Sequence, residues 1–499
     1  MTSKRSWRAR ILHGRALALA LAGLLAGGSL LVAQAADELP DLGESARADL
    51  SPQLERRIGV GIMNDIRLNE PSYLDDAEIS DYLNRLGSRL VAASTNPMGE
   101  FLFFALRDNM VNAFAMFGGF IGVNTGTILT AQSESELAGV LAHEIAHVTQ
   151  SHLARQIARQ KQDSIASLIA MAVGILAARS NANAGGAAIA ASQAGAVQAQ
   201  LAYTRDFERE ADRFGYQALE KAGFDVRGMG DFFARLQKAG RLYESNAPVY
   251  LRSHPLTLER LSDMENRAQN APYRQVVDSA DFQLVRAKLR AQQGTVREAV
   301  SDFESQLAER KFSSELAARY GLARALLRDR DVAGAQREMD RTLRLAREQR
   351  VASPLLAGLA GEIRSAAGDG AGALAIYRDA QQRFPQARAL AYAYADTLFA
   401  GKQHAAALRF LEAQLQLHPG DFRLYQLQAQ NFAAQGKRLQ QHRALAEFHA
   451  LQGDLGRAVE QLQIAQGAAD GNFFELSVVD ARLRELRRLQ AEEAKSRNK

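Results

Sequence analysis

Ser133-Glu-Ser-Glu-Leu-Ala-Gly-Val-Leu-Ala-His143-Glu144-Ile-Ala-His147 reads as a helix with a capped start, its serine standing just ahead of first-turn carboxylates. His143 and His147 are four residues apart and share one helical face, so both imidazoles can reach a single metal ion about 2 Å away. Glu144 lies about 100° further round, which sets its carboxylate beside that ion, in reach of a proton on metal-held water. With zinc at such a place, water ionises near neutrality and can attack a peptide carbonyl. The five-residue pattern alone arises by chance about once in a hundred chains of this length, so its surroundings must carry the rest.

Two histidines leave a third ligand to be found. The chain has no cysteine, so that ligand is His, Glu or Asp. Phe207-Glu208-Arg-Glu210-Ala211-Asp212 opens another helical pattern, in which Glu208 and Asp212 share a face while Glu210 points almost oppositely. Either Glu208 or Asp212 could serve, and a solvated acidic helix start would look the same. Upstream, Phe101–Leu106 is a short apolar run expected as a buried strand, and Asn112–Asn124 reads as strand, glycine turn, strand. The set Asn112-Ala-Phe-Ala, Gly118-Gly119, His143-Glu144-Ile-Ala-His147 and Glu208-x-x-Ala211-Asp212 resembles the HtpX and prenyl-protein-peptidase family of zinc metallopeptidases. That resemblance implies Glu208 as third zinc ligand, Glu144 as general base and Asp212 as a support for the ligands from behind. It also implies that Gly119–Val123 is an edge strand on which substrate is held as an added strand. Met116-Phe117 departs from the family's usual turn, at some distance from the metal ligands.

Outside this region the chain is long for one core at 499 residues, with 47% hydrophobic and 23% charged residues, an ordinary folded balance. Lys4, Arg5, Arg8, Arg10 and Arg15 account for the whole net charge of +5; without them 56 basic residues face 56 acidic ones, which speaks against nucleic acid as a partner. The same five precede seventeen uncharged, mostly apolar residues, Ala16–Val32, and Ala33-Gln34-Ala35, the layout of a cleaved secretory signal. Ile165–Ala202 is apolar and Ala/Gly-rich but too short or too interrupted to span a bilayer; it reads as a buried helical hairpin, against a flap that touches membrane or client. His152 lies nine residues past His143 and is expected to face away from the metal. From about residue 275 a Gly-x4-Ala pattern recurs at Gly294, Gly368, Gly401 and Gly453, with weaker members at Arg330 and Gly436. The spacings of 36, 38, 33 and 35 residues resemble the tetratricopeptide repeat. The last step, Gly436 to Gly453, breaks that register.

Signal, metal motif and repeats together resemble the β-barrel assembly-enhancing branch of that peptidase family, over essentially the whole mature chain. On its own His254 would be an ordinary loop histidine; by resemblance, Ser253-His254-Pro255 supplies a histidine that fills zinc's open position and keeps the enzyme latent. The expected architecture is a signal peptide (1–35), an α+β zincin-type metallopeptidase domain (36–272), mostly helical with a small sheet, an all-α repeat solenoid (273–490) and a charged tail (491–499). One zinc ion per chain is expected on His143, His147 and Glu208. The resemblance implies a periplasmic endopeptidase acting on unfolded or misassembled outer-membrane proteins, engaging the β-barrel assembly machinery through its repeats and touching the outer membrane peripherally. The competing class is a repeat adaptor with a silent metal site, which has no use for a carboxylate at Glu144.

Overall fold

The structure, a computed structural model, describes residues 50–95, 99–160, 205–241, 249–271 and 274–497. The signal segment 1–35 and Ile165–Ala202 lie outside the described residues. The described residues from Pro52 onward form one compact unit. Its first part runs α1 (Pro52–Asn69), α2 (Ala77–Ala93), β1 (Leu102–Leu106), β2 (Ala113–Ala115), β3 (Phe120–Asn124), α3 (Thr125–Thr130), α4 (Glu134–Thr149) and α5 (His152–Gln160). It continues with α6 (Arg205–Lys221), α7 (Arg227–Arg241), α8 (Val249–Ser253) and α9 (Leu258–Asn270).

Helix α4 carries the metal motif, and its position follows from its sequence. Ser133 caps it by accepting from the Glu136 amide, while Glu136 returns to the Gln132 amide. Leu137–Ala142 are apolar all round the helix, which is stable only enclosed there, and every residue from Glu134 to His147 is buried. Its two first-turn carboxylates are paired: Glu134 accepts from Tyr82 and Ser279, and Glu136 meets Arg235.

The sheet has strand order β1-β3-β2, β1 parallel and β2 antiparallel to β3. This corrects one expectation: within Gly119–Val123, Phe120–Val123 belong to the central strand, paired on both sides, and are no edge, while Gly119 lies in the turn before it. Its five residues are all buried, as a central strand requires. The outer side of β1 is already satisfied, by the Tyr73 bridge, by Leu74 donating to Ala105, and by Asn84, which both donates to and accepts from the Phe103 backbone. The other outer strand of the sheet, among the described residues, is β2. Between β2 and β3, Gly118 (φ 70°) and Gly119 (φ 83°) take left-handed conformations, and a Cβ on either would strike the backbone of Arg56 or Glu100.

The second part is a helical array: α10 (Ala280–Gln292), α11 (Val296–Ala308), α12 (Glu315–Arg328), α13 (Val332–Glu348), α14 (Pro354–Ala366) and α15 (Gly370–Arg383). It ends with α16 (Arg388–Ala400), α17 (His404–Leu417), α18 (Phe422–Ala434), α19 (Arg438–Leu451), α20 (Leu455–Gln466) and α21 (Phe473–Arg497). The recurring Ala residues, Ala299, Ala335, Ala373 and Ala458, are buried where hairpin partners approach closely. The 17-residue step from Gly436 to Gly453 is one helix plus its turn, so α19 pairs with both α18 and α20, and the two-helix period is lost there.

The first helices of successive hairpins meet the start of α2. Asp76 caps α2 and pairs with Lys288 at 2.6 Å, as does Glu78. Asp81 pairs with Arg388 and Asp75 with Arg423. At Gly358 a Cβ would collide with the Glu78 carboxylate, so the missing side chain admits α2 to the array. One apolar core runs from Leu74 and Phe103 through Phe233 to Phe282, Tyr320 and Ile363, peptidase and repeats together. Among the described residues, no helix is long and apolar enough to cross a membrane.

Candidate metal centre

Helix α6 lies across α4 because Gly215 lets the backbones touch; a Cβ there would stand 3.0 Å from the His143 nitrogen and 3.1 Å from the Ala142 carbonyl. That crossing brings Glu208 and Asp212, about two turns and one turn before Gly215, over the two histidines. His147 Nε2 lies 3.0 Å from His143 Nε2, and the Glu208 oxygens lie 3.4 and 3.6 Å from these two nitrogens. His254, just past the end of α8, puts Nδ1 at 3.4 Å from His143 Nε2 and 3.0 Å from Glu208 Oε1. Donor atoms of His143, His147, Glu208 and His254 all fall within 4.8 Å of one another, and all four residues are buried. The set fits a divalent transition metal: three imidazoles and one carboxylate, with no thiolate, converging on one point.

Around this cluster the polar groups are directed. His143 Nδ1 is 3.0 Å from Asp212 Oδ1, and Asp212 in turn takes two hydrogen bonds from Arg260, at 2.7 and 2.8 Å. Arg260 also reaches Glu208 at 2.8 Å and donates to the Pro255 carbonyl, tying the third carboxylate to the turn that carries His254. Burial works to raise the Asp212 pKa, but the hydrogen bonds from Arg260 and then His143 overcome it and hold the carboxyl below its usual range. Glu208 is held well below the carboxylate range against the same burial, by the charge of His254 and hydrogen bonds from His143 and His254. Desolvation, followed by the charge of His143, pushes His147 well below the ordinary imidazole value, which leaves it neutral and able to bind a cation.

Glu144 is fully buried, with its Oε1 3.2 Å from the Tyr250 hydroxyl, which donates to it, and 3.5 Å from His254 Nε2. Its Oε2 has no hydrogen-bond partner among the described residues. A buried carboxylate oxygen without a donor is costly unless something polar occupies the space it faces. Tyr250 stacks on His254 at 4.5 Å, so one short helix presents both rings to the centre.

All six residues singled out from the sequence, His143, Glu144, His147, Glu208, Asp212 and His254, meet in this one place. His152 corrects an expectation. It does not face away: its Nδ1 is 2.8 Å from His147 Nδ1 and it is completely buried. The phase argument assumed one continuous helix, whereas α4 stops at Thr149 and Ser151 turns left-handed (φ 52°), which swings His152 back behind His147. Arg260 and Tyr250 were not foreseen; an Arg six residues after His254 and a Tyr four before it were the only signals present.

A buried two-histidine, one-carboxylate cluster with a second buried carboxylate beside it, joined to a tetratricopeptide-like array, marks a metallopeptidase with an attached repeat domain. Residues 78–268 match the model of peptidase family M48, and residues 365–430 match a tetratricopeptide repeat model. The chain is 33% identical to the β-barrel assembly-enhancing protease of Yersinia pestis over 94% of its own length and 96% of that protein's. It is 32% identical to the one from Escherichia coli strain K12, covering 92% and 93%. A putative β-barrel assembly-enhancing protease of Vibrio cholerae is 44% identical over about half of each chain, 50% and 52%. The chain therefore belongs to the β-barrel assembly-enhancing proteases of peptidase family M48.

Proposed function

We propose that this chain is a periplasmic zinc endopeptidase that cleaves unfolded or misassembled outer-membrane β-barrel proteins and that His254 keeps it latent. The observation that carries the proposal is the convergence of His143, His147 and Glu208 with Glu144 poised beside them and His254 completing the set. Zinc on the first three residues would supply Lewis-acid polarisation of water and of the scissile carbonyl. Glu144 accepts the proton of the attacking water and returns it to the departing amine. Asp212 and Arg260 fix the His143 ring and the Glu208 carboxylate, so neither reorients as charge develops. His254, whose donor atom joins the same cluster, would fill the position an exchangeable ligand needs, and its removal would open the site. Clients with unpaired strands are suited to pairing along β2, and the repeats offer a surface for the β-barrel assembly machinery. The names of the Yersinia and Escherichia relatives support this class of client.

The test is degradation of an unfolded protein by the full chain, comparing wild type, Glu144→Gln and His254→Ala at equal zinc loading. Glu144→Gln should be inert with zinc still bound, and His254→Ala should be faster than wild type. Slower cleavage by His254→Ala would make that residue a catalytic helper. Zinc-loaded but inactive protein in every variant would instead indicate an adaptor.

A further inference from the structure

Behind His147 stands a chain of polar groups that the proposed reaction does not use. His147 Nε2 faces the ligand cluster, so an ion held at Nε2 leaves the ring proton on Nδ1, which donates it to His152 Nδ1, 2.8 Å away. His152 then carries its own proton on Nε2, which lies 3.2 Å from Glu210 Oε2. The same oxygen accepts from Arg155 at 2.8 Å. Each donor in this sequence has its acceptor, and the direction of every bond follows from the first. The His152 ring lies flat on Phe207, with centroids 4.6 Å apart and planes at 13°, and the Arg155 guanidinium sits 4.6 Å over that ring. Phe207 immediately precedes Glu208, so this arm holds its register with the helix that supplies the carboxylate.

The centre thus has two arms of similar logic. His143 is held by Asp212 and Arg260, and His147 by His152, Glu210 and Arg155. We infer that His152 and Glu210 are positioning residues for the metal: they fix the tautomer and plane of His147 and raise its donor strength. This inference rests on the reading that His143, His147 and Glu208 bind the ion. A purely packing role for His152 would be met by any flat ring stacked on Phe207; an arm needs a hydrogen-bond acceptor at the Nδ1 place.

The experiment follows that difference. The metal-free full chain is titrated with Zn2+ against a chromophoric chelator, and with Co2+ while its visible absorption is read. His152→Phe keeps the ring and removes the acceptor; it should weaken Zn2+ binding by about ten- to a hundredfold and alter the Co2+ band. His152→Asn loses the ring but returns an oxygen near the Nδ1 position, and should recover most of the affinity. Glu210 is 21% exposed, so Glu210→Ala tests the arm without disturbing the core; it should cost affinity severalfold, and Glu210→Gln should restore it. The arm is refuted if His152→Phe binds Zn2+ as wild type does, if His152→Asn binds no better than His152→Phe, or if Glu210→Ala changes nothing. His147→Ala separates the two levels. If it loses Zn2+ while His152→Phe does not, only the arm falls; if it keeps wild-type affinity, the ligand assignment falls with it.

Discussion

Arg260 is the residue on which most of the centre's charge balance converges, since it touches Glu208, Asp212 and the Pro255 carbonyl while itself only 3% exposed. Arg260→Met would leave two buried carboxylates facing each other without their cation. The expected cost is about 3–5 kcal/mol in the unfolding of the metal-free protein. Metal affinity should fall by about ten- to a hundredfold, read by chelator competition. Unchanged melting together with unchanged affinity would show that Arg260 is incidental. What could be seen of the site before the structure followed the same division between near and far. His143, Glu144 and His147 are related by helical geometry within five residues, and Glu208 and Asp212 by the same rule within another five. Arg260 meets Asp212 across 48 positions and Tyr250 meets Glu144 across 106, and no local period encodes such pairs.

At the level of elements, the centre depends on how closely α6 can lie on α4, and Gly215 sets that approach. Gly215→Val would force the helices apart at the His143 backbone. It should cost about 1–3 kcal/mol of stability by overpacking. It should also weaken metal binding, because Glu208 retreats with its helix; chelator competition and thermal unfolding together would reveal both effects, and a variant with native affinity would sever the link between helix spacing and the ligand set. Helix α4 itself was readable from its capped start and apolar composition, and the strand–glycine turn–strand unit from its glycines. Strand order was not. The family resemblance implied an edge at Gly119–Val123, and nothing in that stretch's own sequence reports that β1 arrives in parallel from one side while β2 covers the other. His152 was misplaced for a related reason: periodicity extends a helix through a residue such as Ser151 that the backbone in fact turns at.

Across the whole molecule, the repeats and the peptidase are joined by buried ions as well as by apolar surface. Lys288 is 3% exposed and neutralises both Asp76 and Glu78. Burial alone would raise the Asp76 pKa, but the charge and hydrogen bond of Lys288 lower it below its ordinary value. A depressed carboxylate stabilises the fold fully above the ordinary range, about pH 4, and that contribution is lost as pH falls through the folded-state value. Lys288→Met should therefore destabilise the chain by about 3–5 kcal/mol at neutral pH. The deficit should narrow in acid, where Asp76 can take up a proton in the variant; chemical denaturation at several pH values would show it, and a deficit that stays constant with pH would refute this account. The repeat period was visible in the sequence. The docking of the acidic start of α2 against it was not, because carboxylates such as Asp75, Asp76, Glu78 and Asp81 at a helix start are the same in sequence whether they meet water or a buried cation.

The continuous core from Leu74 to Ile363 has a mechanical consequence. An array hung on a slack tether could be seized and pulled without disturbing the part that cuts. Here there is no such slack: Phe282 and Tyr320 are bedded in the same apolar mass as Phe103 and Phe233. A partner that grips and twists the hairpins as far as α14 applies torque to the core that also packs the helices bearing His143, His147 and Glu208, so these repeats act as a crank as much as a handle.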